Sequence, residues 1–207
     1  MKVAVIAANS RSGQFFIKQA LINNIEINAG INQKNNLPSD KLITLIKCNA
    51  LIKSDVMNLI SGCDAVVSFI GHRRSSPANL QSEAITNVIE SMNELGLKRL
   101  ISLTGTGVRQ PGDKISIIDR ILNLSISIID PKRIKDGIRH ADIIQNSALD
   151  WSIVRVLKLD NFKTKKYKLT KNGPTKVLSS RNEVGLAVVE LLLNNNFIKE
   201  MPIISKP

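Results

Sequence analysis

Between the apolar run Val3-Ala4-Val5-Ile6 and a helical period that begins at Gln14 lies the segment Ala7-Ala8-Asn9-Ser10-Arg11-Ser12-Gly13. A strand that turns tightly into a helix aims backbone N–H groups and the positive end of the helix at one point, which is suited to holding a phosphate or pyrophosphate. Glycines normally let the backbone approach the anion, and here only Gly13, where the helix packs on its strand, is present. The other chemistry-bearing residues are sparse. His72 follows Gly71 at the end of an apolar run and precedes Arg73 and Arg74. An imidazole titrates near neutrality, and paired guanidinium groups suit bidentate contacts to phosphate or carboxylate. The competing reading is a surface loop carrying solubilising charge. His140, the second and last histidine, lies in a helical period with Arg139, Ala141 and Asp142. Neither histidine has a partner at i+4 or a Cys or Glu cluster beside it, so no metal site is expected.

The elements that must position these residues alternate. Short β-branched runs at 2–7, 25–29, 42–47, 65–70, 99–104 and 151–156 are predicted strands, and their near-continuous Val, Ile and Leu indicates burial on both faces. Helical periods cover 14–23, 55–60, 80–95, 115–124, 134–146 and 182–193, with Ser54-Asp55 as an N-cap signal and Gly96 as a stop. The pattern predicts an α/β fold over residues 1–207: repeated βα units packed on a parallel sheet with helices on both faces, in one domain. Residues 158–176 hold seven lysines against Asp160 alone. The flanking strand-like segments place this stretch, at about 157–178, as a substrate-side excursion within one continuing sheet. A solvated basic loop is the alternative.

At 207 residues, 43% hydrophobic and 22% charged, the chain is long enough to bury about 70% of its unfolded surface. Its net charge of +12 invites a nucleic-acid reading, but seven aromatic residues and no recognition motif argue against one. Residues 1–100 hold 11 basic and 7 acidic side chains and residues 101–207 hold 18 and 10, so the charge is concentrated in the second half. The cluster Lys132, Arg133, Lys135 and Arg139, interleaved with Asp130, Asp136 and Asp142, predicts a salt-bridged helix face. No apolar run reaches the roughly 18–20 residues of a membrane span, no secretion signal opens the chain, and no membrane partner is expected. Cys48 and Cys63 lack CxxC spacing and suit a reducing cytoplasm.

Further segments carry a family resemblance. Ala7 to Gly13 overlays a GATGxTG turn, keeping Ala8 and Gly13 and putting Ala7 and Ser10 in place of two glycines. Ser61-Gly62-Cys63-Asp64-Ala65-Val66-Val67-Ser68 resembles GCDAVVS, Gly96-Leu97-Lys98-Arg99-Leu100-Ile101 resembles GVKRLV, and Ser147-Ala148-Leu149-Asp150-Trp151-Ser152-Ile153-Val154-Arg155 resembles SGLDWTIVRP. In this order they resemble the atypical short-chain dehydrogenase/reductases, including NmrA-like proteins and biliverdin reductase B-like flavin reductases, and the resemblance implies a Rossmann-like, doubly wound parallel sheet. The resemblance implies an NADP or NAD site at Asn9, Ser10, Arg11, Ser12, Gly13, Asn32, Lys34, Asn49, Gly71 and Val156. Asn32 stands where relatives carry an arginine for the 2′-phosphate, with Lys34 or Arg11 as substitute charge. Asn49 replaces a carboxylate near the adenine. A left-handed Ser10 would cost on the order of 1 kcal/mol, roughly fivefold in affinity.

The same resemblance places the reaction centre at the carboxyl ends of the fourth, fifth and sixth strands. Thr104-Gly105 stands for a Ser-Ser or Thr-Ser pair, leaving Thr104 and Thr106 as the hydroxyl donors, with His72, Arg73, Arg74 and His140 on the substrate side. Because a nicotinamide supplies the hydride, the protein needs only to orient an acceptor and support its charge. Tyr167, the only tyrosine, lies in the lysine-rich stretch, and no tyrosine proton donor is expected. These features imply an NAD(P)H-dependent reductase of an anionic or planar small molecule such as a flavin or quinone. The lost glycines, Asn32 and Gly105 keep open a non-catalytic NAD(P)-sensing or protein-interaction regulator.

Overall fold

In β1 (Lys2–Ile6) successive side chains point to opposite faces. Val3 and Val5 enter one apolar cluster, and Ala4 and Ile6 enter another on the far side. A strand covered twice in this way belongs to the interior of a parallel sheet. The computed structural model describes residues 1–32, 35–72, 76–162 and 166–207. From β1 the chain continues through α1 (Arg11–Ile22), β2 (Glu26–Ile31), β3 (Ile43–Lys47), α2 (Lys53–Ile60), β4 (Ala65–Ser68), α3 (Leu80–Glu94) and β5 (Arg99–Gly105). There follow α4 (Ile117–Ile129), α5 (Pro131–Gln145), β6 (Asp150–Val156), β7 (Lys158–Asp160), β8 (Lys168–Thr170), β9 (Leu178–Ser180), α6 (Arg181–Asn194) and β10 (Ile203–Ser205).

Eight strands form one sheet in the order β3-β2-β1-β4-β5-β6-β10-β8. All neighbours are parallel except β8, which runs antiparallel to β10. The chain winds outward in both directions from the boundary between β1 and β4. At such a switch point the loops diverge and open a crevice beyond the carboxyl ends of the strands. Helices α1 and α6 cover one face, where Phe16, Ile17 and Ala20 meet Val184, Ala187 and Val188. On the other face, α2, α3 and α5 contribute Leu59, Val88, Met92 and Ile144. Gly185 permits the α1–α6 contact, since a Cβ there would stand 2.9 Å from the carbonyl oxygen of Phe15.

The doubly wound, Rossmann-like sheet is the one expected from the βα alternation and the family resemblance together, with corrections at its margins. α1 starts at Arg11, three residues before the predicted start, because Ser10 caps it. α4 runs past 124 to Ile129, and α5 begins at Pro131, ahead of 134. Asp130 separates them as the N-cap of α5, with proline in the first turn. The lysine-rich excursion does not sit within one continuing sheet. Its flanks β7 and β9 pair with each other as a separate two-stranded sheet, while β8 joins the main sheet through β10.

Candidate functional site

Residue types in the first turn decide how the helix opens. Ala7, the substitute for the first glycine, takes the left-handed backbone (φ 57°), while Ser10 is extended at φ −64°. The steric cost expected at Ser10 therefore falls on Ala7. Ser10 instead caps α1, its Oγ accepting the N–H of Gly13 at 3.1 Å. Asn9 Oδ1 accepts the N–H of Asn36 at 3.0 Å and ties the segment after β2 to the turn. Gly13 is the glycine the turn cannot lose, because a Cβ there would stand 2.6 Å from the Ala8 carbonyl oxygen and 2.9 Å from that of Ala7. Gly13→Ala is expected to destabilise the chain by about 2 kcal/mol, as overpacking against backbone does. A urea midpoint equal to that of the parent would show that the turn yields instead.

The turn forms one wall of a cavity of about 670 Å³ at the carboxyl ends of β1, β4, β5 and β6. Asn9, Ser10, Arg11 and Ser12 lie on that wall. Gly71 and His72 follow β4, Thr104 and Gly105 end β5, and Val156, Leu157 and Lys158 follow from β6. Phe69, Leu103, Val108, Leu122, Ile126 and Ile134 supply an apolar surface. Thr104 is buried at the end of β5, and its Oγ1 has no hydrogen-bond partner among the described residues. His72 reaches Asp130, Nε2 to Oδ2 at 3.6 Å, linking the loop after β4 to the α4–α5 junction.

Several expected site residues stand elsewhere. Thr106 is 1% exposed and turns to α4, where its Oγ1 accepts from Asn123 Nδ2 at 3.1 Å, so it does not line the cavity. His140 is likewise buried, with Nε2 3.0 Å from Ser102 Oγ, between α5 and β5. Burial pushes its pKa down to about 4, and the Asp136 charge offsets only part of this. His140 is thus a neutral packing residue. Asn49 Oδ1 accepts from the N–H of Leu51, a local turn that engages the atom proposed for the adenine. Asn32 is exposed just past the end of β2, and Gly13 lies beneath the turn. Lys34, Arg73 and Arg74 lie outside the described residues.

Tyr167 and Lys171 have the i, i+4 spacing of a tyrosine–lysine acid/base pair, although no tyrosine proton donor is expected. They bracket strand β8, where four residues span about 13 Å, so the two side chains do not meet as they would on a helix. Tyr167 donates to Glu190 Oε2 at 2.6 Å, and Lys171 pairs with Glu200 at 2.6 Å. Burial, and next the hydrogen bond to Glu190, push the tyrosine pKa up. The thiols are similarly inert: burial raises Cys48 to about 12 and Cys63 to about 11.

Two arginines outside the expected set of site residues shape the site. Arg181, at the start of α6, lines the cavity near Arg11 and donates to Asn161 Oδ1 at 2.7 Å. Burial, and next the Arg11 charge, lower its pKa, so two cations converge beside the capped turn. Arg155, 1% exposed, donates to both carboxylate oxygens of Asp113 at 2.5 and 2.8 Å. It also donates to the carbonyls of Met201, Val108 and Lys171. One buried side chain thereby joins β6, the approach to β10, the loop after β5 and the excursion. The described cavity lining includes Arg11, Arg133, Lys158 and Arg181 and no acidic residue. Within the excursion, Lys171 and Lys176 are paired with Glu200 and Glu183, so the basic character of the crevice comes mainly from arginines.

A doubly wound sheet with a crevice at its switch point and a capped helix opening onto it defines a Rossmann-type nucleotide-binding α/β protein. The family described as NAD(P)H-binding matches residues 7–195, and the chain belongs to it. No curated protein matches the sequence. Among solved structures the chain is similar to a short-chain dehydrogenase/reductase from Veillonella parvula in complex with NADP, at 15% identity and TM-score 0.83, covering 100% of this chain and 94% of that one. It is also similar to ChuY, an anaerobillin reductase from Escherichia coli O157:H7, at 16% identity and TM-score 0.79, covering 100% and 98%. A Streptococcus pneumoniae protein provisionally assigned as an NADH-flavin reductase matches at 23% identity and TM-score 0.78, over 100% of both chains. At these identities the likeness concerns the fold.

Proposed function

We propose that this protein is an NAD(P)H-dependent reductase of a planar or anionic acceptor of the flavin, quinone or bilin type. The observation that carries the reading is the cavity itself. It is lined by the first turn, by four cations with no acid among its described residues, and by apolar side chains including Leu122, Ile126 and Ile134. A dinucleotide needs both halves of that arrangement: charge for its phosphates and an apolar surface for its ring.

The residues present fit such a cofactor. Arg11 is exposed at the mouth without filling it, and Arg181 faces it from α6. These two arginines and the N-terminal turn of α1 would hold the pyrophosphate, while Gly71, Thr104 and Val156 would border the nicotinamide. When bound, the reduced nicotinamide supplies a hydride. Thr104 Oγ1, buried and without a partner among the described residues, is placed to donate to an acceptor atom that gains charge. Leu122, Ile126 and Ile134 give a flat acceptor an apolar wall and exclude water. An acceptor able to take its proton from solvent requires no tyrosine donor, in agreement with the engagement of Tyr167 by Glu190. The charge pattern and the NADP-bound relative leave NADP and NAD as the cofactors to compare.

Titration with NADPH and NADH, followed by nucleotide fluorescence, is expected to show saturable binding, and absence of binding below about millimolar concentration would remove the reading. Arg181→Gln keeps a hydrogen-bond donor for Asn161 and should raise Kd about tenfold by loss of a charge-assisted contact. Thr104→Val should leave Kd unchanged and slow NADPH oxidation by added flavin about tenfold. Equal turnover in that variant would take Thr104 out of the reaction.

A further inference from the structure

Helix α4 is built inside out. Two of its polar residues face the protein: Asp119 is fully buried, 2.5 Å from Arg109 Nη2 and 2.8 Å from Asn123 Nδ2, and Asn123 continues to Thr106. Its aliphatic residues face outward. Ile117, Ile118, Ile121, Leu124, Ile128 and Ile129 are each more than half exposed, and the helix contributes nothing to either core cluster. Isolated exposed leucines are ordinary on a soluble protein, but six large aliphatic side chains on one helix form a contiguous patch that marks an interaction surface.

Charge identifies the occupant. Lys114, Arg120, Lys132, Lys135 and Arg139 are exposed around this helix and its neighbour α5, with no ion pair among the described residues. The interleaved acids do not neutralise them, contrary to the expected salt-bridged face. Asp113 is held by Arg155 and Asp119 by Arg109, Asp130 caps α5, and Asp136 accepts from the N–H groups of Gln81 and Ser82 at the start of α3. Asp142 is the one exposed acid of residues 109–142. A second copy of the chain would bring two such cationic rims together. A folded protein partner usually meets aromatic anchors, and this face has none. An aliphatic helix face with a cationic border matches the interface of an anionic bilayer, where apolar side chains enter the acyl boundary and Lys and Arg meet phosphate.

We propose that α4 docks this protein onto an anionic phospholipid surface. No helix among the described residues is long and apolar enough to cross a membrane, so docking lays α4 parallel to the surface. The flank of the same helix, Leu122, Ile126 and Ile129, lines the cavity, so docking sets the crevice mouth at the bilayer. Docking does not depend on the reductase reading, and its test is independent of turnover.

The test is co-sedimentation of the full chain with vesicles of phosphatidylcholine alone or mixed with phosphatidylglycerol. Binding to the mixed vesicles is expected to be at least about tenfold tighter and to weaken with salt. Leu124→Glu with Ile128→Glu, at exposed positions away from the cavity lining, should abolish it while circular dichroism and nucleotide binding stay those of the parent. Lys132→Glu with Lys135→Glu should weaken it about tenfold or more. Failure to bind anionic vesicles, or binding undiminished by the Leu124 and Ile128 changes, overturns the proposal. A dimer in sedimentation equilibrium that those changes dissolve, without vesicle binding, overturns it in favour of a second copy.

Discussion

Replacing Asp113 with alanine is expected to remove about 3–5 kcal/mol of folding stability, the cost of leaving a buried guanidinium without its counter-charge. Arg155 is 1% exposed and the Asp113 side chain 3%, so water cannot replace the carboxylate. For a chain of this size the loss corresponds to a fall in Tm of about 10 °C. Because Arg155 also holds the carbonyls of Val108, Met201 and Lys171, the loop after β5 and the excursion should loosen before the rest of the sheet. Amide exchange resolves this order. The double change Asp113→Leu with Arg155→Met removes both charges and should recover part of the loss, whereas a pair that mattered only through packing would give no recovery. An Asp113→Ala midpoint within about 1 kcal/mol of the parent would show that the loop relaxes and hydrates Arg155.

The architecture is legible because its signals are local and repeated. Val3 to Ile6 and Ala65 to Val67 are continuous apolar runs, and the helices on each face carry their own 3.6-residue periods. The three-residue strands β7, β8, β9 and β10 carry no such signal, since their pairing is set by partners distant in the chain. The junction between α4 and α5 was readable: Asp130-Pro131 is a cap followed by a first-turn proline. Of the residues expected at the candidate site, the Asn9–Ser12 turn, Gly71, His72, Thr104 and Val156 line one cavity. Thr106 and His140, expected there too, turn inward: Thr106 lies just past β5 and faces Asn123 of α4, and His140 faces Ser102 from α5, a difference set by packing and not by spacing in the chain. Arg181 is missed for the same reason. It reaches the cavity because α6 packs on α1, and no spacing within its own segment announces this.

The charge of the chain is divided by the same packing. Of the basic side chains in the lysine-rich excursion, Lys171 and Lys176 are neutralised by Glu200 and Glu183, and Lys158 is the described one that reaches the cavity. The remaining positive field is carried by Arg11, Arg133 and Arg181 inside the crevice and by the border of α4 outside it. One concentration of cations serves a phosphate-bearing ligand and the other a surface, which a net charge alone does not separate.

Acid should destabilise the fold through His140, and the effect should be large. Its pKa lies near 4 in the folded chain against 6.5 for the free side chain, because burial disfavours the imidazolium. Above 6.5 neither state binds the proton and His140 contributes nothing to the pH dependence. As pH falls from 6.5 towards 4 the unfolded chain takes up a proton that the folded chain refuses, so stability drops, by about 3 kcal/mol at the lower limit. Below that the folded state protonates as well and the loss levels off. His140→Gln keeps a polar group for Ser102 and has no proton to gain, so its urea-derived stability should change between neutral pH and pH 4 by about 3 kcal/mol less than that of the parent. Nucleotide affinity at neutral pH should be the same in both, because His140 lies beneath the cavity and not in its lining. Parallel stability curves for the two proteins would mean that the histidine acquires its proton within the fold. In that event the environment of Asp136 and Ser102 supports an imidazolium, and His140 is no longer a neutral packing residue.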